Sequence, residues 1–265
     1  MQQNQVDAPA VQYRGQQRKP QGDEAACCIV GGGPAGAMLA LLLARQGISV
    51  VLLEAHLDFE REFRGDTLHA SVMEILDAID LAAPLLNLRH AKVRQVVLPA
   101  RQGAIKVDLF ARMRTKFPYI TVIAQARFLE FITNEARRYP HFRLVMGAHV
   151  EALLEEDGAV RGVLYRRQDQ QYEVRAALTV GADGRFSNVR KLARFEPIKT
   201  ASPIDALWFR LSRQANDPDE ALLARVGNGL FVVCIDRFEY WQVGCVIPKG
   251  GYQHLRAAGL PQFRQ

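Results

Sequence analysis

The strongest constraint on this chain is a glycine turn set between a strand-like run and a helical one. Ala26 to Val30 is uninterrupted apolar sequence, as expected of a parallel strand covered on both faces. Gly31, Gly33 and Gly36 follow at the G-x-G-x-x-G spacing. In that pattern the first glycine permits a tight turn, the second lets backbone approach a pyrophosphate, and the third lets the helix pack close to the strand. Ala37 to Arg45, rich in Ala and Leu, carries the helix, and Gly47 stops it. Ile48 to Leu53 reads as the next strand. It delivers Glu54 roughly 20 residues beyond the glycines, where an acid accepts hydrogen bonds from a ribose hydroxyl. Strand, turn, helix, strand and acid in this order point to a dinucleotide. A phosphate loop of the Gly-Lys-Ser/Thr kind is excluded, because no such triplet follows the glycines.

Other classes recede on composition. The net charge of +6 comes from scattered basic residues in short groups such as Arg137-Arg138 and Arg166-Arg167. An anionic nucleotide is partner enough for such a surface, and no nucleic-acid partner is expected. The longest apolar run, Ala35 to Ala44, falls short of the roughly 18 residues of a membrane span, so no membrane partner is expected either. Four cysteines, Cys27, Cys28, Cys234 and Cys245, lie in apolar strand-like runs without metal spacing. Neighbouring Cys27 and Cys28 should point to opposite faces of one strand as small core fillers. With no basic-then-apolar leader at the start, a cytoplasmic location is expected. No metal site is expected.

Residues 1–24, Gln-rich and carrying Pro9 and Pro20, read as a disordered tail. After Glu54, the spacing of Val72, Ile75, Leu76, Ile79 and Leu81 predicts a helix, with Ser71 and Glu74 as a capping box. Arg64 precedes that helix, in a loop leaving the carboxyl end of the second strand, the side on which open α/β sheets bind ligands. The residues alone leave open whether it meets a ligand or solvent. Ala91 to Val97 and Ala104 to Leu109 suggest an antiparallel ribbon, and Ile120 to Ala124 a further strand. Gln125 opens a helix that closes before Pro140, and Phe142 to Val145 is a strand. His149 to Leu154, Val160 to Tyr165 and Tyr172 to Ala176 read as a meander, with a tight turn at Asp157-Gly158.

A second informative stretch is Leu178-Thr179-Val180-Gly181-Ala182-Asp183-Gly184, an apolar strand ending in small residues, an acid and a glycine. Ser187 to Leu192 then starts a helix. A lone Asp-Gly is commonly a simple turn, but at the end of a strand joining the nucleotide sheet it becomes a cofactor contact. From Ile204 the chain changes character. Ala206 to Leu211, Gly229 to Ile235 and Tyr240 to Ile247 carry Trp208, Phe209, Phe231, Phe238, Tyr240 and Trp241 in or beside them. They read as a second, antiparallel sheet whose aromatics serve as sheet core or line a pocket.

Taken together, Gly31 to Gly36 with Glu54, Arg64 before its helix, and Gly181-Ala182-Asp183-Gly184 followed by Ser187 and Arg190 resemble the FAD-dependent aromatic hydroxylases, the para-hydroxybenzoate hydroxylase-like flavoprotein monooxygenases. The resemblance runs from about Ala25 to the end. It implies an α/β fold: an FAD-binding, Rossmann-like three-layer domain of the glutathione reductase type, interleaved with an antiparallel-sheet substrate domain. The cofactor domain would take 25–90 and 120–202, and the substrate domain 91–119 and 203–265. It also implies FAD as cofactor, NAD(P)H as co-substrate, and hydroxylation of an aromatic or similar small organic substrate with O2. Gly31, Gly33, Pro34, Ala35 and Gly36 would hold the pyrophosphate, and Glu54 with Ala55 the adenosine ribose. Arg64 and Gln125 would lie along the flavin, Val150 near the adenine, and Asp183 and Gly184 at the pyrophosphate–ribityl region. No catalytic base is assigned.

The chain departs from that family in one respect. A Gly-Asp-x-x-His-like third cofactor motif, placed in the family well after the Asp-Gly, is absent between Gly184 and Gln265. Gly65-Asp66-Thr67-Leu68-His69 spells the pattern but precedes Asp183, and is expected to be coincidental. The chain is therefore expected to correspond to the amino-terminal two-thirds of such an enzyme. A same-fold flavin reductase or dehydrogenase, or an FAD-binding remnant without turnover, stands as the alternative.

Overall fold

The computed structural model describes residues 21–60, 66–100, 103–198, 200, 202–217, 222–227 and 230–259. Arg64, and the expected tail as far as residue 20, lie outside the described residues. In chain order the first elements are β1 (Gln21–Val30), α1 (Pro34–Arg45), β2 (Val50–Glu54), β3 (Thr67–Leu68), α2 (Ala70–Ala78) and α3 (Ala82–Leu86). Next come β4 (Ala91–Val93), β5 (Gln95–Ala100), β6 (Gly103–Asp108), β7 (Ile120–Val122), α4 (Gln125–Ala136) and β8 (Phe142–Met146). The remainder comprises β9 (His149–Glu156), β10 (Ala159–Arg167), β11 (Gln170–Gly181), α5 (Asn188–Leu192), β12 (Ile204–Ser212), β13 (Leu222–Gly227), β14 (Leu230–Asp236), β15 (Tyr240–Pro248) and α6 (Gly251–Ala258).

The main sheet has six strands in the order β8-β2-β1-β11-β10-β9. Its β8, β2, β1 and β11 run parallel, and β11, β10 and β9 form the antiparallel meander. One strand does double duty. The meander strand expected to end at Ala176 and the nucleotide-sheet strand expected from Leu178 are a single β11, paired with β10 from Gln170 to Arg175 and with β1 from Tyr172 to Gly181. The same pairing lengthens β1 at its start. Gln21 to Glu24, expected in the tail, pair with Tyr172 to Arg175 and are strand instead.

Both faces of the sheet are covered, as its unbroken apolar strands require. Cys27, Ile29, Val50 and Leu52 face α1 and α4 in a core with Leu41, Leu129 and Ile132. Cys28, Val30, Val51 and Leu53 face Val163, Tyr165 and Val174 of the meander and Val189 of α5. The two adjacent cysteines thus split between faces. Burial pushes the Cys28 thiol up to about 12, so it packs as an apolar group.

The second sheet, β12-β15-β14-β13-β5-β6, also has six strands. It takes in most of the expected ribbon as β5 and β6. Ala91–Val93 of the expected first strand split off as β4 into a small third sheet, and Pro99 and Ala100, expected in the turn, are strand. The second sheet also adds β13, which carries no clear alternation. It is antiparallel except where β13 meets β5 in parallel. The small sheet β3-β7-β4 is joined to the second sheet through Val93, Val122 and Ile235. Two local expectations need correction. Ser71 does not cap α2, because the helix begins at Ala70 with His69 in the cap position and no side-chain cap bond. The helix after the glycine turn begins at Pro34 rather than Ala37, since proline at the first position is preset for it.

Candidate functional site

At the carboxyl ends of β1, β2 and β11 lies a cavity of about 600 Å³. Its lining includes Gly31, Gly33, Pro34, Ala35, Glu54, Ala55, Gln125, Val150, Asp183 and Gly184. Residues from five separate stretches of sequence therefore converge, because parallel strands deliver their ends to one side of a sheet. Of the expected residues, Gly36 does not reach the cavity. It packs behind the turn, where an added Cβ would stand 2.0 Å from the Gly31 carbonyl oxygen.

Backbone angle and packing require two of the three glycines. Gly31 has φ +109, and a Cβ there would fall 2.4 Å from the Ala182 carbonyl oxygen, so this turn touches the loop after β11. Gly36 lets α1 sit on Gly31. Gly33 has neither reason. Its φ of −70 suits any residue, and a Cβ built on it would meet no other atom within 4 Å. The protein's own packing leaves that space open, and Gly33 belongs to the cavity lining.

Behind this open space is the amino end of the twelve-residue α1, with no side-chain cap and no acid in its first turn. Its orphan N–H groups and helix dipole favour an anion. Among the described residues the lining includes no lysine or arginine, and the helix end contributes positive potential there.

Glu54 is only 7% exposed. Its Oε2 accepts the Gly32 N–H at 2.8 Å, and its Oε1 accepts the His56 N–H at 2.9 Å. The His56 ring Nδ1 also lies 2.7 Å from Oε1. Backbone donors thus hold the carboxylate at the cavity wall. Asp183 turns the other way. Its Oδ2 accepts N–H groups of Asn188 at 2.6 Å and Val189 at 3.0 Å, and its Oδ1 accepts the Ser187 hydroxyl. Ser187 Oγ in turn accepts the Arg190 N–H at 2.9 Å. Asn188 Nδ2 donates to the Val150 carbonyl at 2.7 Å, tying α5 to β9. This loop is held by its own side chains.

Sequence reasoning passed over several lining residues: Gly32, His56, Phe59, Leu129, Ala148, His149 and Asn188. Leu129 was within reach, standing one helical turn after Gln125. His56 and Phe59 carried no signal, because loop geometry after β2 places them.

The second sheet bears a broader hollow of about 1010 Å³ under α6, lined by Trp208, Phe209, Cys234, Val243 and Tyr252 among others. Trp241 is buried as core, whereas Trp208, Phe231 and Phe238 stand about two-fifths exposed.

A profile of the FAD binding domain family matches residues 24–246. The chain is 30% identical over 240 residues to 6-methylpretetramide 4-monooxygenase of Streptomyces rimosus, covering 90% of this chain and 57% of that one. Its fold superposes on p-nitrophenol 4-monooxygenase PnpA of Pseudomonas putida with TM-score 0.72 at 21% identity, covering 87% of this chain and 59% of the other. A flavoprotein/dehydrogenase of Cytophaga hutchinsonii gives TM-score 0.75 at 15% identity, covering 88% and 58%. The chain thus spans little more than half the length of these proteins.

Proposed function

The chain belongs to the FAD binding domain family, and from that premise we propose that it is the cofactor-holding part of a flavoprotein monooxygenase acting on an aromatic or similar small organic substrate. The observation that carries this reading is Gly33, a glycine that neither its backbone angle nor its neighbours require. A pyrophosphate approaching the open end of α1 would require it.

In this reading Gly33, Pro34, Ala35 and the first N–H groups of α1 receive the pyrophosphate, while Gly31 and Gly36 keep the turn closed behind it. Glu54, with Ala55 beside it, accepts from the adenosine ribose. Val150 borders the adenine and Gln125 the flavin half, where Arg64, outside the described residues, would join it. Gly184, with no Cβ, allows close approach, while Asp183 serves it by fixing the loop. Bound FAD would supply the redox chemistry, taking electrons from NAD(P)H and using O2 to place one oxygen atom on the substrate. The protein's part is to orient both partners and to exclude water. The units 25–90 with 120–202 and 91–119 with 203–265 would hold cofactor and substrate respectively. We place the protein in the cytoplasm on its cysteine pattern.

A second reading, a flavin reductase or dehydrogenase, has the fold likeness to the Cytophaga hutchinsonii flavoprotein/dehydrogenase behind it. The first experiment is the visible spectrum of the purified chain after loading with FAD and desalting. A retained flavin spectrum is expected, followed by NAD(P)H oxidation that speeds up with a phenol or aromatic acid and yields oxygenated product. A colourless protein overturns the cofactor assignment. Flavin turnover without oxygen in the product selects the second reading.

A further inference from the structure

The stretch Gly65 to His69, which matched a cofactor pattern in the wrong place, contains a largely buried carboxylate at a junction. Asp66 immediately precedes β3, and its backbone carbonyl accepts the Ile123 N–H at 2.9 Å, just beyond β7. Its side-chain Oδ1 accepts the Gln125 N–H at 2.9 Å, the first amide of α4. Its Oδ2 lies 3.0 Å from Nη1 of Arg237, in the turn between β14 and β15, with the two side chains 13% and 10% exposed. The Arg237 N–H does not aim at that oxygen, so the contact is an ion pair rather than a hydrogen bond. The buried Gln242 of β15 adjoins the same carboxylate.

The apolar contact between the small sheet and the second sheet has Val93, Val122 and Ile235 as its buried members, with Ala91, Ile120, Leu222 and Val233 partly buried against them. Apolar burial is non-directional and names no particular partner. A largely buried charge pair ties two specific positions together, because separating the charges leaves each uncompensated. Arg237 is absent from the cavity lining, whereas Gln125 and Leu129, in the first turns of α4, belong to it.

We propose that Asp66 is a positioning residue that latches the second sheet onto the amino end of α4, so that a shift of the β14–β15 turn is felt at Gln125 and Leu129 in the cavity wall. This gives the Asp66 stretch a role distinct from touching the cofactor. Only the second readout below rests on the FAD reading.

The first readout is hydrogen exchange of the ligand-free chain, followed by mass spectrometry over residues 123–130. Arg237→Gln and Asp66→Asn should each speed exchange in the first turn of α4 by about threefold or more. The neutral pair Asp66→Asn/Arg237→Gln, which leaves no lone buried charge, should fold and exchange equally fast there. Arg213→Gln, which removes the partner of Asp236 beside the same turn, should leave α4 at the wild-type rate. Equal loosening by Arg213→Gln, or no change with the neutral pair, overturns the latch. The second readout is FAD affinity well below the melting temperature, where Arg237→Gln should weaken binding about threefold to tenfold. Unchanged affinity in the folded variant removes the link to the cavity. If the wild-type chain binds no FAD, the cofactor reading falls, and the exchange result still decides the latch.

Discussion

The two glycine turns at the cavity look alike in sequence and are finished in opposite ways. Gly31 to Gly36 leads into α1, whose amino end has no cap and no acid. Gly181 to Gly184 leads into α5, whose amino end is filled by Asp183 and Ser187. The first amide of α4 is likewise taken, by Asp66. A helix end can be satisfied from within or kept for a ligand, but a side-chain carboxylate and a phosphate cannot both take the same N–H groups. Among the described residues, α1 is the one of these three helices whose first turn meets no side-chain acceptor.

The largest effect should come from the open turn itself. Gly36→Ala would force a methyl group against the Gly31 carbonyl, and should cost about 3 kcal/mol of stability, read by thermal unfolding. Gly33→Ala is the sharp counterpart. Its methyl group meets nothing, so stability should stay within about 1 kcal/mol of wild type, while FAD affinity should fall about tenfold or more. Loss of stability with Gly33→Ala, or intact binding, breaks the comparison.

A smaller effect is expected on the closed side. Asp183→Ala removes the acceptor of two α5 amides and should cost about 1–2 kcal/mol. Restoration of both stability and FAD affinity by Asp183→Asn would identify the residue as a fastener of the loop. Restoration of stability alone would mean that its charge also meets the ligand.

The smallest effect concerns pH. Burial pushes the Asp66 carboxyl above its ordinary value, against the opposing pull of the Gln125 N–H, Arg237, Gln242 and Arg210. A carboxyl with the higher pKa in the folded state binds its proton more tightly there than in the unfolded chain. Its contribution to stability is thus complete below the unfolded value of about 3.9 and lost as pH rises through the folded one. Melting temperatures of the Asp66→Asn/Arg237→Gln pair should vary less than wild type over that window. Parallel curves would mean that other groups govern it.

Much of the cofactor side was legible because its signals are local. The spacing of Gly31, Gly33 and Gly36, the helix from Pro34 and the strand ending at Glu54 each follow from steric and periodic rules within a few residues. The double use of β11 was not legible. Strand pairing is decided by partners far away in sequence, and an apolar run carries no label for its neighbour. The same holds for β13, and for the role of Asp66, whose partners lie at 125 and 237.

By itself the sequence determined the nucleotide half of the fold and the convergence of Gly33, Glu54 and Asp183 at one sheet edge, because parallel strands must send their ends to a common side. Only the tertiary structure decided which of these groups remain available. Glu54 is held by the amides of Gly32 and His56, Asp183 is spent on α5, and α1 keeps its end open. That division depends on which donor each carboxylate meets, and hydrogen-bond partners are chosen by distances that the linear chain does not contain.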